Sequence, residues 1–270
     1  MSKNYKLIYN FKKKDPNNHI LKAEKHPTEK FEISTITIPS TNTVTKKTTP
    51  SSSSVYTIQV LSPIMDQGNI GDCVANAFAY CINVQTRNKL NISRLYLYAI
   101  CRILDNTPLI DDSGTTVGSG CNAIKKYGTV NEKSYPYNSD FTTLPSLTVI
   151  KSSSLFKTFT YTFVNQDITS IKNCLYIYNV PIIFGFLVYS SFITITVATT
   201  GMVSYPNVNT ETLEGGHCMC IVGYNDTTKM FTCANSWGTS WGNKGYCYIP
   251  YKYLLDPNLA TDFCFTQFIY

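Results

Sequence analysis

Four residues in this chain have the types and spacing of a covalent acyl-transfer site: Cys73, His217, Asn235 and Gln67. A thiol attacks a carbonyl efficiently when a neighbouring base takes its proton, and that base needs a third group to orient it. Cys73 supplies the thiol. His217 is the only histidine beyond residue 54, so an imidazole base in the body of the chain has to be this one. Asn235 carries an amide oxygen able to accept a ring N–H and hold one tautomer. Gln67 stands six residues before Cys73 and offers an amide donor to an oxyanion forming beside the sulfur. Singly, each has an ordinary reading. A free cysteine is commonly a small buried hydrophobe, a strand histidine a satisfied core residue, and an asparagine a turn residue. The combination carries the chemistry.

The elements that must position these groups are legible around them. After DQGNIGDC, the residues Val74, Ala77, Phe78, Cys81, Ile82 and Val84 recur at helical spacing. They predict a buried helix that opens at Cys73 and ends near the polar run Gln85–Lys89. A thiol at the positive end of a helix has its thiolate stabilised. His217 begins an apolar strand behind two glycines in GGHCMCIVGYN, and Asn235 ends a strand in CANSWGTSWGNKGYCYIP. The chain's two tryptophans, Trp237 and Trp241, follow at once, and an indole there can shield a His–Asn bond from water.

Elsewhere the first half reads as helical. Ser93 caps a helix to Leu104, a Pro/Gly/Asp-rich loop follows, and a short helix around Gly120–Tyr127 stops at Gly128. Asp167 caps a further helix with Ile168, Ile171 and Leu175 on one face. Strand patterns then dominate, at Val180–Val188, Cys218–Tyr224, Met230–Ala234 and Gly245–Ile249. Helices followed by strands predict an α+β fold of two lobes with a cleft between them.

Composition bounds the function. Residues 1–50 carry ten lysines and four acids, whereas the remainder is balanced at thirteen of each sign. The whole excess of +6 therefore lies outside the body, which argues against a nucleic-acid partner. No apolar run is long enough to span a membrane, and the basic start lacks a signal-peptide core. With no export signal, the ten cysteines are expected to be mostly reduced thiols in an intracellular compartment. No CxxC pair supports a structural zinc, and no cofactor is expected. Thr41–Ser54 is a Thr/Ser-rich linker by composition. It separates a segment 1–54 from a body 55–270, itself divided into a helical part (about 55–150) and a strand-rich part (about 151–270).

QGNIGDC, GGH with its apolar strand, NSWGTSWGNKGY and the stretch DDSGTTVGSGCNAIKKYGTVNEKSYPY together resemble the papain-like (papain and cathepsin) cysteine proteases, over about Val55 to Tyr270. The separations of His217 and Asn235 from Cys73, 144 and 162 residues, are close to the roughly 130–150 of that family. The resemblance implies a two-lobed fold with a helical left lobe, a β-barrel-like right lobe and the active site in the cleft between them. It implies a thiol endopeptidase acting on proteins or peptides, with Cys73 as nucleophile, His217 as base and Asn235 as its orienter. The Gln67 side chain and the Cys73 backbone N–H would form the oxyanion hole. Ser113, Gly114, Thr115, Gly216 and Trp237 would border the substrate.

Three departures stand out. Ile70 replaces a disulfide cysteine of the family, Val74 replaces an aromatic wall residue, and Asp72 stands where a small residue is usual and opposes thiolate formation. In these the chain resembles divergent members from bacteria, protists and large DNA viruses. They also keep a rival reading open, a non-catalytic binding or structural protein on the same fold. The family usually carries an inhibitory pro-segment. Residues 1–54 are short for one but offer Phe11, Ile20, Leu21, Phe31 and Ile33 for burial, and a strand-like Phe31–Ile38 for pairing with a cleft edge.

Overall fold

The computed structural model describes residues 6–8, 54–138, 140–153 and 158–269. The elements are β1 (Val55–Thr57), α1 (Cys73–Gln85), α2 (Arg94–Leu104), α3 (Val117–Tyr127), α4 (Leu147–Lys151), β2 (Thr158–Phe163), α5 (Ile168–Tyr178), β3 (Ile182–Tyr189), α6 (Ile195–Thr200), β4 (Leu213–Asn225), β5 (Met230–Ala234), β6 (Tyr246–Pro250), α7 (Tyr251–Leu254) and β7 (Ala260–Ile269).

Local chemistry sets the helix ends. Ser93 accepts the N–H of Tyr96 to open α2, Thr116 that of Ser119 to open α3, and Asp167 that of Ser170 to open α5. Gly128 closes α3 at φ +70°, a backbone angle that favours glycine. α1 differs: Asp72 precedes it without capping it by its side chain, and all its residues but the last are buried. This helix is the central strut of the molecule. It packs against α2 and α3 on one side and β4 on the other.

The second half is a seven-stranded antiparallel sheet in the order β2-β7-β3-β4-β5-β6, with β1 added to β4. β4 is thirteen residues long and pairs with β1, β3 and β5, which lets it span the sheet and reach the helical half. The expected strands at 180–188, 218–224, 230–234 and 245–249 correspond to β3, β4, β5 and β6. Three further strands, β1, β2 and β7, lie outside the patterns singled out from sequence. The strand-like stretch Phe31–Ile38, with Phe11, Ile20 and Leu21, lies outside the described residues. A continuous core runs from α1 through the sheet and includes Phe78, Phe184, Phe186, Phe231 and Phe263. All ten cysteines are buried free thiols.

Candidate active site

Cys73 is the first residue of α1 and has no exposed surface. It faces β4, where the backbone N–H of Cys218 points at its sulfur. Cys218 directly follows His217, so the thiol lies against the strand that carries the imidazole. His217 Nε2 is 2.8 Å from Asn235 Oδ1, an oxygen that also accepts the N–H of Ser236 at 2.8 Å. With the Asn235 oxygen as acceptor, Nε2 bears the ring proton. Nδ1 is then the bare nitrogen, and it is buried with no hydrogen-bond partner among the described residues. Trp237 stacks on the imidazole at 4.9 Å and 30° between planes. Trp241 stands edge-on to Trp237 at 5.1 Å, and Phe192 packs on both indoles. The aromatic wall excludes water from the His–Asn bond, which strengthens it.

The loop before α1 is tied to the loop after β5. The N–H of Gln67 donates to Ser236 O at 2.8 Å, and that of Gly238 to Met65 O at 2.9 Å. The Gln67 side chain is fully buried. Its oxygen accepts the Ser236 hydroxyl at 2.6 Å, while Nε2 donates to Ile70 O at 2.9 Å. The Gln67 amide is thereby held in one orientation, with its N–H face toward the cleft.

Opposite β4, Gly114 lies on a loop organised by Asp112. The Asp112 carboxylate accepts the Gly71 N–H on both oxygens at 3.0 Å and the Tyr98 hydroxyl at 2.6 Å. Tyr98 in turn accepts the N–H of Gly114 at 3.0 Å. Buried Arg102 fixes the preceding turn by donating to the carbonyls of Leu109 at 2.6 Å and Asp111 at 3.2 Å.

The channel between these walls is filled by the chain's own residues 6–8. Ile8 forms a parallel bridge with Gly216. Its carbonyl lies so close to Gly114 that a Cβ there would come within 2.1 Å, and its side chain rests on Gly71. The Leu7 carbonyl approaches Gly215 in the same way, 2.6 Å from where a Cβ would stand. Lys6 O is 3.5 Å from Gln67 Nε2. Cleft glycines therefore serve close approach of another backbone. The sealed site reverses the expected titration. Burial pushes the Cys73 thiol up to about 12, against the N–H of Cys218, with the Asp72 carboxylate raising it further. Burial likewise brings the His217 imidazole down to about 4, against the Asn235 bond. Here desolvation outweighs the helix N-terminus.

Cys73, His217, Asn235 and Gln67 thus lie on segments that pack together, with no hydrogen bond between the Cys73 thiol and the His217 ring among the described residues. Gly114 and Gly216 face each other across the occupied channel, with Ser113 beside Gly114. The other two residues expected at the substrate border are buried like the catalytic candidates themselves. Thr115 is buried with its hydroxyl on Asp105 at 2.6 Å. Trp237 is 2% exposed and stacks on the imidazole. Ser236, Asp112 and the segment 6–8 were not singled out from sequence. An acid in the DDSG loop and the short apolar pair after Lys6 were the available signals.

A buried thiol at a helix start, an imidazole polarised by an asparagine and a glycine-walled channel between a helical lobe and a sheet define a cysteine-type peptidase. The chain matches the papain family cysteine protease profile over residues 49–260, and it belongs to that family. It is 38% identical over 223 residues to an uncharacterized peptidase C1-like protein of Acanthamoeba polyphaga mimivirus, covering 77% of this chain and 70% of that one. It is 24% identical to cysteine proteinase 3 of Dictyostelium discoideum, covering 70% of this chain and 55% of that one. Among solved structures it is similar to xylellain, a cysteine protease from Xylella fastidiosa. The TM-score is 0.75 at 30% identity, covering 86% of this chain and 95% of that one. No helix among the described residues is long and apolar enough to cross a membrane.

Proposed function

We propose that this protein is a thiol endopeptidase working through a Cys–His–Asn acyl-enzyme, held closed by its own N-terminal segment. Cys73 attacks the scissile carbonyl while His217 takes the thiol proton through Nδ1 and later returns it to the leaving amine. Asn235 keeps the Nε2–H tautomer, so Nδ1 is the nitrogen left to accept the thiol proton. The developing oxyanion is met by the Gln67 amide and the Cys73 backbone N–H. Water then hydrolyses the thioester. The observation that carries the reading is the His217 ring itself, bonded to Asn235 at one nitrogen and, among the described residues, without a partner at the other.

The restraint is supported by residues 6–8 lying along the channel, with Cys73, His217 and Gln67 left without exposed surface. Tethering makes the block intramolecular, so modest contacts suffice. In the closed state thiol and imidazole are both neutral, and opening the channel rehydrates them and restores the ion pair. The division at residue 54 belongs to the same proposal: residues 1–54 act as the restraining segment and 55–270 as the peptidase, with cleavage in Thr41–Ser54 releasing activity. The test is hydrolysis of fluorogenic peptides by full-length protein, by protein cleaved in that linker, and by Cys73→Ala. Peptide cleavage that rises on linker cleavage and vanishes in Cys73→Ala is expected. Turnover that survives Cys73→Ala overturns the mechanism.

A further inference from the structure

The residue before the nucleophile, Asp72, has no exposed surface. Among the described residues no salt bridge reaches it. The nearby guanidinium of Arg94 is turned elsewhere, with Nη1 on Asn76 Oδ1 at 3.0 Å and Nη2 at 3.7 Å from Glu132. That of Arg102 is held by the carbonyls of Leu109 and Asp111. A buried carboxylate without a cation on it is too costly to stay ionised and takes a proton instead.

Hydrogen-bond accounting leads to the same proton. Asp72 Oδ1 accepts from Asn76 Nδ2 at 2.8 Å and lies 3.0 Å from the Tyr137 hydroxyl. That hydroxyl is also 3.0 Å from the Gln67 carbonyl. Burial, with the Asp72 charge adding to it, raises the Tyr137 phenol well above its usual range, so it keeps its proton. One O–H cannot serve both oxygens, and the Gln67 carbonyl can only accept. A proton on Asp72 Oδ1 removes the conflict. Asp72 then donates to Tyr137, and Tyr137 donates to Gln67. Asp72 Oδ2, which has no hydrogen-bond partner among the described residues, becomes a neutral carbonyl oxygen rather than half of a bare charge. The charged and titratable groups facing Asp72 are Cys73 on α1, Arg94 and Arg102 on α2, and Asp112 with Lys6 upon it. Tyr137 and the Arg94 partner Glu132 complete the set beyond α3. Burial pushes the carboxyl up to about 7, against Arg94 and the Tyr137 hydroxyl, with Asp112 adding to the rise.

We propose that Asp72 is a positioning residue that works as a neutral acid. Its proton closes the chain from Asp72 through Tyr137 to the Gln67 carbonyl, and that chain holds the oxyanion loop beside the nucleophile. This deepens the endopeptidase reading above and rests on it. Gln67 gives its backbone N–H to Ser236 O on the sheet side, and Tyr137 holds its carbonyl on the helical side. Loss of the Asp72 proton to solvent turns the Tyr137 O–H onto the carboxylate. The Gln67 carbonyl then keeps the 3.3 Å bond from the Ile70 N–H alone, and a negative charge stands next to the sulfur. Both effects lower turnover as pH rises.

The test uses full-length protein and reads the proton and the turnover separately. Infrared difference spectra, wild type minus Asp72→Asn, are expected to show a carboxylic-acid C=O band at about pH 6 that is lost by about pH 8.5. Peptide kcat and KM are followed over the same range. The alkaline limb of wild-type kcat is expected to fall where the band is lost. In Asp72→Asn the amide donates to Tyr137 at every pH, so the limb is expected to move up by about one pH unit or more. Removal of charge alone would move it down, since an imidazolium loses its proton more readily without a carboxylate nearby. Channel opening is common to both proteins, so the difference between their profiles reads Asp72. No band at the lower pH, or a limb that stays or moves down in a folded Asp72→Asn, overturns the proposal. If Asp72→Asn does not fold, Tyr137→Phe decides. It takes a donor from the carboxylate and from Gln67, so the limb is again expected to rise, with kcat several-fold lower on the acid side and KM unchanged. A profile and kcat matching wild type overturn the proposal. A band that titrates while no peptide is cleaved would sink the endopeptidase reading and leave the proton chain standing.

Discussion

Weakening the channel segment should open the enzyme by a predictable factor. Leu7 and Ile8 are half-buried between Gly71, Gly114 and the Gly215–Gly216 strand. Truncating both to alanine removes three carbons from each. At about 0.8 kcal/mol per fully buried methylene, halved for partial burial, the pair contributes roughly 2.4 kcal/mol to closure. That corresponds to roughly a 50-fold rise in the open fraction, provided the closed state dominates. The assay is carbamidomethylation of Cys73 in full-length protein at neutral pH, read by peptide mass spectrometry and normalised to the other nine thiols. Hydrolysis of one small peptide is measured alongside. Both rates should rise by the same factor, because both require the same opening, while the urea midpoint of the body stays unchanged. Equal labelling in wild type and the double variant would refute the argument that residues 6–8 keep thiol and imidazole desolvated. So would a rise in labelling at all ten cysteines, which would report unfolding rather than opening.

Further outcomes follow from the same geometry. Gln67→Ala removes the side-chain oxyanion donor and is expected to lower kcat/KM about 10²–10³-fold. Asn235→Ala frees the His217 tautomer and should cost at least about ten-fold in kcat, since a general base contributes 10²–10⁴; an unchanged kcat would remove its orienting role. Burial raises the Asp72 carboxyl from 3.8 to about 7, with Arg94 and Tyr137 opposing. The native state therefore binds a proton across that window that the unfolded chain has released, and stability falls as pH rises through it. Asp72→Asn should flatten this slope and give a higher urea midpoint than wild type at pH 8; parallel pH profiles would contradict the assignment. A Cβ on Gly120 would lie 2.2 Å from the ring of fully buried Phe78. Overpacking of about 1–3 kcal/mol should exceed the helix-propensity gain of about 1 kcal/mol, so Gly120→Ala is expected to lower Tm.

Much of this protein was readable from local pattern. The apolar period after Cys73, the caps Ser93 and Asp167 and the stop at Gly128 depend on neighbouring residues, and α1, α2, α5 and the end of α3 follow them closely. The set Cys73, His217, Asn235 and Gln67 was also legible, because residue type constrains that chemistry strongly. Long-range contact decided the rest. β1 and β7 are strands because β4 and β3 offer them unpaired edges, a property of partners far away in sequence. The bond from the Thr115 hydroxyl to Asp105 was likewise invisible in sequence. The helix start argued for a thiolate at Cys73. Only the closed channel shows that removal of water outweighs that dipole, since desolvation depends on what covers a group rather than on what precedes it. Asp112 makes the same point. In sequence it is one of three acids in the loop after Leu104; its place on Gly71, Tyr98 and Lys6 exists only once three separate segments meet.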